Sequence, residues 1–376
     1  MPTIRDKQKV TAMTTDTRPY RLLGRTGLRV SPIALGTLTF GAGGWHAGED
    51  TARSVFLRYL EAGGNFVDTA VNYAGGRSEQ LLGAFIEETG TRDQVVIATK
   101  FSVATRPGDP NSGGNGRKNI LASLDTSLRR LRTDFVDLYW LHLWDGLTPV
   151  EEVMSTLDAL VRNGKVRAIG LSNTPSWYAA KAQLTAAARG WEPVAALQLE
   201  YSLAERAIER EHVPAALDLG LGVIAWSPLA NGLLTGKYHQ EQDGRPRGEG
   251  RLTAMAADGT LDTLRAAGNP AISKLLTVRT RAIVDALRDC ARELGRTPAQ
   301  VALNWVSRRP GVASTLISVT SLAQLEDNLG ALDFDLPAEL AGRLEQASRP
   351  EVTYPYYFSG PALGGMVTAG TAIVAG

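Results

Sequence analysis

A single cysteine, Cys290, stands in 376 residues, so no disulfide can form within the chain. That scarcity fits a reducing, cytoplasmic compartment. Cys290 lies in the helix-like run RAIVDALRDCAREL, where a small core residue is expected rather than a reactive thiol. No charge predominates: 40 Lys and Arg stand against 39 Asp and Glu, for a net charge of +1. Such a balance offers nothing to a nucleic acid or to an acidic membrane surface. No apolar run reaches membrane-spanning length, and the opening MPTIRDKQKV is too polar for a signal peptide. The four histidines and one cysteine form no clustered ligand set, so no metal is expected. The glycine fingerprint of an open dinucleotide-binding sheet is also missing. Gly41-Ala42-Gly43-Gly44-Trp45-His46 has histidine where the third glycine should fall, and no helix follows at once. These glycines read as a flexible loop.

What is present is alternation. The apolar runs IALGTLTF, NFVDTA, QVVIATK, DFVDLYWLH, KVRAIGLS, VAALQLEY, LGVIAWSP and STLISV are separated by amphipathic stretches. Alternating β and α units imply a parallel sheet with right-handed crossovers, and eight strands favour closure into a (β/α)8 TIM barrel. Residues 1–17 lack periodicity and are expected to be a disordered extension, 18–349 the barrel, and 350–376 a tail. Before the first barrel strand, YRLLGRTGLRVSP reads as a hairpin turning at Gly24–Gly27. Extra length falls in RPGDPNSGGNGRK after strand three and in Asn231–Thr280 after strand seven, extended loops on one face.

Several runs end in polar residues that a buried parallel strand does not need for packing. Asp68 and Tyr73 follow strand two, Lys100 ends strand three, His142 strand four, Ser172 and Asn173 strand five, and Gln198 lies in strand six. A (β/α)8 barrel builds its active site at those ends. A tyrosine hydroxyl ordinarily titrates near 10, and a neighbouring ammonium lowers that value. Asp68 can hold Lys100 charged, while His142 can donate a hydrogen bond to a carbonyl oxygen. The four together make a proton donor aimed at an oxyanion, as carbonyl reduction requires.

RLLGRTGLRVSPIALGT, GGNFVDTAVNYAGGRSEQLLG, VVIATK, FVDLYWLH, GKVRAIGLSN, ALQLEYS, WSPLANGLLTGKY and SLAQLEDNLGAL, in this order, resemble the aldo-keto reductase family from Tyr20 to about Ser348. The resemblance implies Asp68, Tyr73, Lys100 and His142 as a catalytic tetrad. It implies a nicotinamide cofactor, NADP(H) or else NAD(H), touched by Gly36, Thr37 and Asp68, with Ser172, Asn173 and Gln198 on the carboxamide. Trp226 and Ser227 would lie beside the nicotinamide. Backbone amides around Leu229, Gly232 and Leu234 would face the pyrophosphate with Lys237, although Lys237 reads equally as a solvated loop lysine.

Strand eight departs from the family pattern. Ser318, Val319, Thr320 and Ser321 occupy the place where a Lys or Arg commonly meets the 2′-phosphate, while Gln324 and Asn328 match positions near the adenosine. Hydroxyls and a helix N-terminus can bind phosphate without the selectivity of a guanidinium fork, so both cofactors stay open. Trp45, Phe101 and Trp144, with His142, are expected to wall the substrate mouth. The aromatic tail VTYPYYFSG would close over that mouth or pack on a second subunit of a homo-oligomer. The partner expected is a small carbonyl compound, reduced to its alcohol. A keto-sugar or deoxysugar-nucleotide reductase and a cofactor-sensing regulatory subunit are the alternatives.

Overall fold

The computed structural model describes residues 19–41, 46–240, 246–266, 277–359 and 365–371. Eight parallel strands close into one barrel: Ile33–Gly36, Phe66–Asp68, Val96–Phe101, Val136–Leu141, Val166–Ser172, Val194–Glu200, Gly222–Trp226 and Val312–Ile317. The eighth pairs with both the first and the seventh, Thr315 lying opposite Ile33 and also opposite Ala225. The (β/α)8 expectation is met, and the expected hairpin forms between Arg21–Leu22 and Arg29–Val30.

Each strand sends alternate side chains to opposite faces. One set, including Ala34, Phe66, Ala98, Trp140, Ala168 and Ile224, packs inside the barrel. The other, including Leu35, Val67, Ile97, Tyr139, Ile169 and Val223, meets the surrounding helices. Those helices are amphipathic for the same reason. In Val150–Arg162 the buried Val150, Val153, Met154, Leu157 and Leu160 recur at three- and four-residue intervals on one face. Pro298–Ser307, packed before the eighth strand, starts at a capping box: Thr297 accepts from the Gln300 amide and Gln300 reaches back to Thr297.

The hairpin seals the N-terminal end of the barrel. Leu23 and Val30 are fully buried and join the inner cluster with Phe66, Leu138 and Ala195. Gly24 makes the approach possible: it has φ +58°, and a Cβ there would lie 2.4 Å from the Ala195 carbonyl oxygen. Arg21 ties the hairpin to the last barrel unit by donating to the carbonyls of Ser307 (2.7 Å) and Val312 (3.0 Å). At the opposite end, the insertion after the seventh strand folds as a 3-10 turn Ala230–Thr235, a short hairpin and the helices Arg251–Ala257 and Thr260–Ala266. No helix among the described residues is long and apolar enough to cross a membrane.

Candidate active site

The two-residue period of the strands decides which side chains converge. Two positions beyond the inward Phe66, Ala98, Trp140, Ala196 and Ile224 come Asp68, Lys100, His142, Gln198 and Trp226. They form the next layer towards the C-terminal rim. Asp68 and Lys100 are fully buried and paired through the Lys100 ammonium and Asp68 Oδ1. Gln198 Nε2 donates to the other carboxylate oxygen at 3.0 Å. The ammonium also donates to the Thr69 carbonyl (2.7 Å) and to the Tyr73 hydroxyl (3.4 Å). The rings of Tyr73 and His142 meet edge to face with centroids 6.0 Å apart. Asp68, Tyr73, Lys100 and His142 therefore occupy one locus.

The charges there are set by burial working against pairing. Lys100 loses its hydration, but Asp68 and the Tyr73 oxygen outweigh that loss and hold its pKa above the ordinary value, so it stays ammonium. Burial pushes the Asp68 carboxyl up, with Lys100 pulling against it. Tyr73 differs from the expectation drawn from sequence. Lys100 does pull its pKa down, but burial is the larger influence and the net direction is up, so the hydroxyl holds its proton. Burial and the Lys100 charge lower His142 from 6.5 to about 3, leaving a neutral imidazole. The arrangement presents one protonated phenol and one neutral imidazole above a buried ion pair.

The residues matched to a cofactor divide into two groups. Asn173, held at φ +51°, donates from Nδ2 to the His142 carbonyl (3.0 Å) and to Ser172 Oγ (2.9 Å), and accepts from Trp226 Nε1 (3.1 Å). The Asn173 amide also donates to the Gln198 carbonyl (3.3 Å), so Ser172, Asn173, Gln198 and the partly exposed Trp226 are one bonded group along the fifth to seventh strand ends, with Ser227 next in sequence. At the end of the eighth strand, Ser321 caps the helix Leu322–Leu329 by accepting from the Gln324 amide, and Thr320 donates to Gln324 Oε1 (2.9 Å from its amide). Ser318 is exposed and Asn328 buried on either side of that cap.

Other expected cofactor contacts are engaged within the protein. The amides of Gly232 and Leu234 both donate to the Leu229 carbonyl, at 2.9 and 3.2 Å, so they turn back into their own 3-10 turn. Thr37 is fully buried, its hydroxyl on Ser78 (2.7 Å) and its amide on the Asp68 carbonyl (2.9 Å). It braces the strand that carries Asp68. Gly36 serves close approach: a Cβ there would lie 2.5 Å from Ser318 Oγ. Lys237 is exposed, its ammonium 5.3 Å from the Tyr238 ring centroid, and partial burial lowers its pKa.

Among the expected substrate contacts, Phe101 is a correction. It follows the inward Lys100 by one residue, so the pleat turns it outward, where it is fully buried against Tyr139 with centroids 5.0 Å apart. Trp144 is 37% exposed and meets Trp177 (5.8 Å) and Tyr178 (6.2 Å), forming an aromatic cluster between the ends of strands four and five. Trp45 lies outside the described residues. Trp177 and Tyr178 were missed in the sequence because they stand more than thirty residues from Trp144 and open a different helix. Arg251 was missed as well: it begins a helix in the strand-seven insertion, close enough for its charge to lower the Tyr73 pKa.

Residues 32–349 match the family model described as the aldo/keto reductase family. The chain is 38% identical over 331 residues to the uncharacterized oxidoreductase YrpG of Bacillus subtilis (strain 168), covering 85% of this chain and 93% of that protein. It is 30% identical over 368 residues to an aryl-alcohol dehydrogenase of Pestalotiopsis microspora, covering 93% and 88%. An aryl-alcohol dehydrogenase of Phanerodontia chrysosporium, named with NADP(+), is 31% identical over 358 residues, covering 91% and 89%.

Proposed function

The chain belongs to the aldo/keto reductase family and is an oxidoreductase, and from that premise we propose that it reduces aryl aldehydes or ketones to alcohols with a nicotinamide cofactor. The observation that carries the reading is the Lys100 ammonium, bonded both to buried Asp68 and to the Tyr73 hydroxyl. Tyr73 is the general acid and gives its Oη proton to the carbonyl oxygen as that oxygen becomes negative. Lys100 stabilises the phenolate left behind, and Asp68 keeps Lys100 charged and fixed. His142, neutral across the physiological range, donates a hydrogen bond to the same oxygen and sets its angle.

The chemistry of the donor set fits a nicotinamide dinucleotide. Ser172, Asn173 and Gln198 supply hydroxyl and amide groups beside the partly exposed Trp226 ring, suiting a carboxamide and its aromatic ring. Ser318, Thr320, Ser321 and Gln324 at a helix N-terminus suit a phosphate. When bound, that cofactor supplies the hydride. NADP(H) is the cofactor proposed, in keeping with the name of the Phanerodontia chrysosporium relative, with NAD(H) as the competitor. The aryl preference is supported by the Trp144–Trp177–Tyr178 cluster two residues beyond His142 and by the names of two relatives.

The test is oxidation of NADPH and of NADH with a reactive aromatic aldehyde, comparing the parent protein with Tyr73→Phe. Turnover is expected to fall by a factor on the order of 10² to 10⁴ while cofactor still quenches tryptophan fluorescence. A Phe variant as active as the parent would remove Tyr73 as the acid. The ratio of rates with the two cofactors decides between them.

A further inference from the structure

We propose that Arg130 is a positioning residue for Tyr73, acting through buried Glu79 and through the backbone of the loop that carries the phenol. The inference rests on Tyr73 being the proton donor. It begins with the backbone just after that residue. Ala74, Gly75 and Gly76 have φ of +47°, +64° and +96°, three consecutive left-handed residues. For Ala74 that conformation costs roughly 1–2 kcal/mol, so the loop holds its shape only if something outside it does the holding. Its own bonds are local, Tyr73 amide to Ala70 carbonyl (3.1 Å) and Gly75 amide to Asn72 carbonyl (3.1 Å).

Besides the bond of the Val71 amide to the Lys100 carbonyl (3.2 Å), outside support comes from the helix Arg117–Leu131. Arg130 Nη1 donates to the Val71 carbonyl (2.7 Å) and to Glu79 Oε2 (3.1 Å). Glu79 is fully buried near the start of the helix Arg77–Thr89, and its other oxygen accepts from Thr99 Oγ1 (2.7 Å). Thr99 precedes Lys100. A continuous bonded path therefore runs from the Tyr73 loop through Arg130 and Glu79 to the strand carrying Lys100. Two glycines make room for it. A Cβ at Gly76 would lie 2.2 Å from Arg130 Cζ, so the guanidinium fills the space against the loop. A Cβ at Gly83 would lie 2.6 Å from the Arg130 carbonyl oxygen, so the backbone of Arg130 is pressed on the helix that bears Glu79.

The reason such support matters is the length of the bond it governs. Tyr73 Oη and Lys100 Nζ are 3.4 Å apart, at the outer limit of a hydrogen bond, where a small outward shift of the loop breaks it. Lys100 would then pull on the phenol through its charge alone and from farther off, and the phenol would lie out of line with the oxygen it serves. A displacement of about 1 Å in a reacting group costs on the order of a hundredfold in rate.

Arg130→Met, Arg130→Lys and Gly76→Ala should be compared with the parent and with Tyr73→Phe. In Arg130→Met, kcat for aryl aldehyde reduction should fall roughly ten- to a hundredfold with cofactor affinity unchanged. The alkaline limb of its pH profile, where Tyr73 gives up its proton, should shift, because moving the loop changes both the burial that raises that pKa and the Lys100 attraction that lowers it. Arg130→Lys should recover part of kcat, since an ammonium keeps the charge for Glu79 but lacks the planar group that fills the space against Gly76. Gly76→Ala displaces the guanidinium and keeps the charge but also strains the loop itself at φ +96°, so Arg130→Lys decides the matter if the Met variant fails to fold. A lowered melting temperature with kcat per cofactor-binding site and the alkaline limb both unmoved would overturn the proposal and leave Arg130 as scaffold. If Tyr73→Phe is impaired and the Arg130 variants match the parent, positioning alone is wrong. If Tyr73→Phe turns over like the parent, the acid assignment and this inference fall together.

Discussion

His142 illustrates how one residue's surroundings fix its chemistry. Its pKa falls from 6.5 to about 3, first through burial and then through the Lys100 charge. Between those two values the unfolded chain takes up a proton that the folded protein excludes. Its contribution to stability is therefore complete above pH 6.5 and is progressively lost as pH falls towards 3. His142→Asn should flatten the acid arm of stability in that window, as urea midpoints measured across it would show; identical slopes in parent and variant would mean the imidazole is not held neutral. That Asp68, Tyr73, Lys100 and His142 meet at the strand ends was legible in sequence because a Lys or a His at a strand end has no packing role. Their electrostatic balance was not, since the rise in Tyr73 depends on burial that only the assembled barrel creates. Phe101 was misplaced for a simpler reason: a strand that turns Lys100 inward must turn its neighbour out.

At the scale of elements, the fourth and fifth strands show how a large side chain is accommodated. Gly170 lies opposite Trp140 in the register, and a Cβ on it would come within 2.1 Å of the Trp140 ring. Gly170→Ala should destabilise by about 1–3 kcal/mol through overpacking. Pairing it with Trp140→Leu should recover part of that loss, which urea denaturation of both variants would reveal. Full additivity of the two changes would show that the contact is not the cause. The strands and their order were readable from apolar runs bounded by turn residues. The clamp between Glu79 and Arg130 was not, because each sits on a helix whose pattern shows an ordinary charged position, and the pairing joins residues 51 apart. The turned-in amides of Gly232 and Leu234 were equally hidden, for side-chain chemistry says nothing of where a backbone N–H points.

At the scale of the whole molecule, the helix Ala338–Ser348 joins residues far apart in sequence. Glu345 accepts from Arg206 (2.6 Å), from Arg309 and from Trp305 Nε1 (3.2 Å), with both guanidinium carbons within 5.1 Å of the Trp305 ring centroid. Arg206 is 6% exposed and also bound by Glu209, so this network is partly buried where most of the ion pairs described here are exposed. Glu345→Ala should cost about 1–3 kcal/mol, because partly buried donors are left without an acceptor. Glu88→Ala, which breaks an exposed pair with Arg53, should cost less than about 1 kcal/mol. Thermal unfolding of the two side by side would check the contrast, and equal losses would mean the network is only a surface feature. The plug formed by Leu23 and Val30 has a consequence of its own. Above it Phe66, Leu138 and Trp140 fill the bore, so the barrel is a pillar rather than a pipe, and anything that comes to the layer of Asp68 and Lys100 comes from the opposite rim.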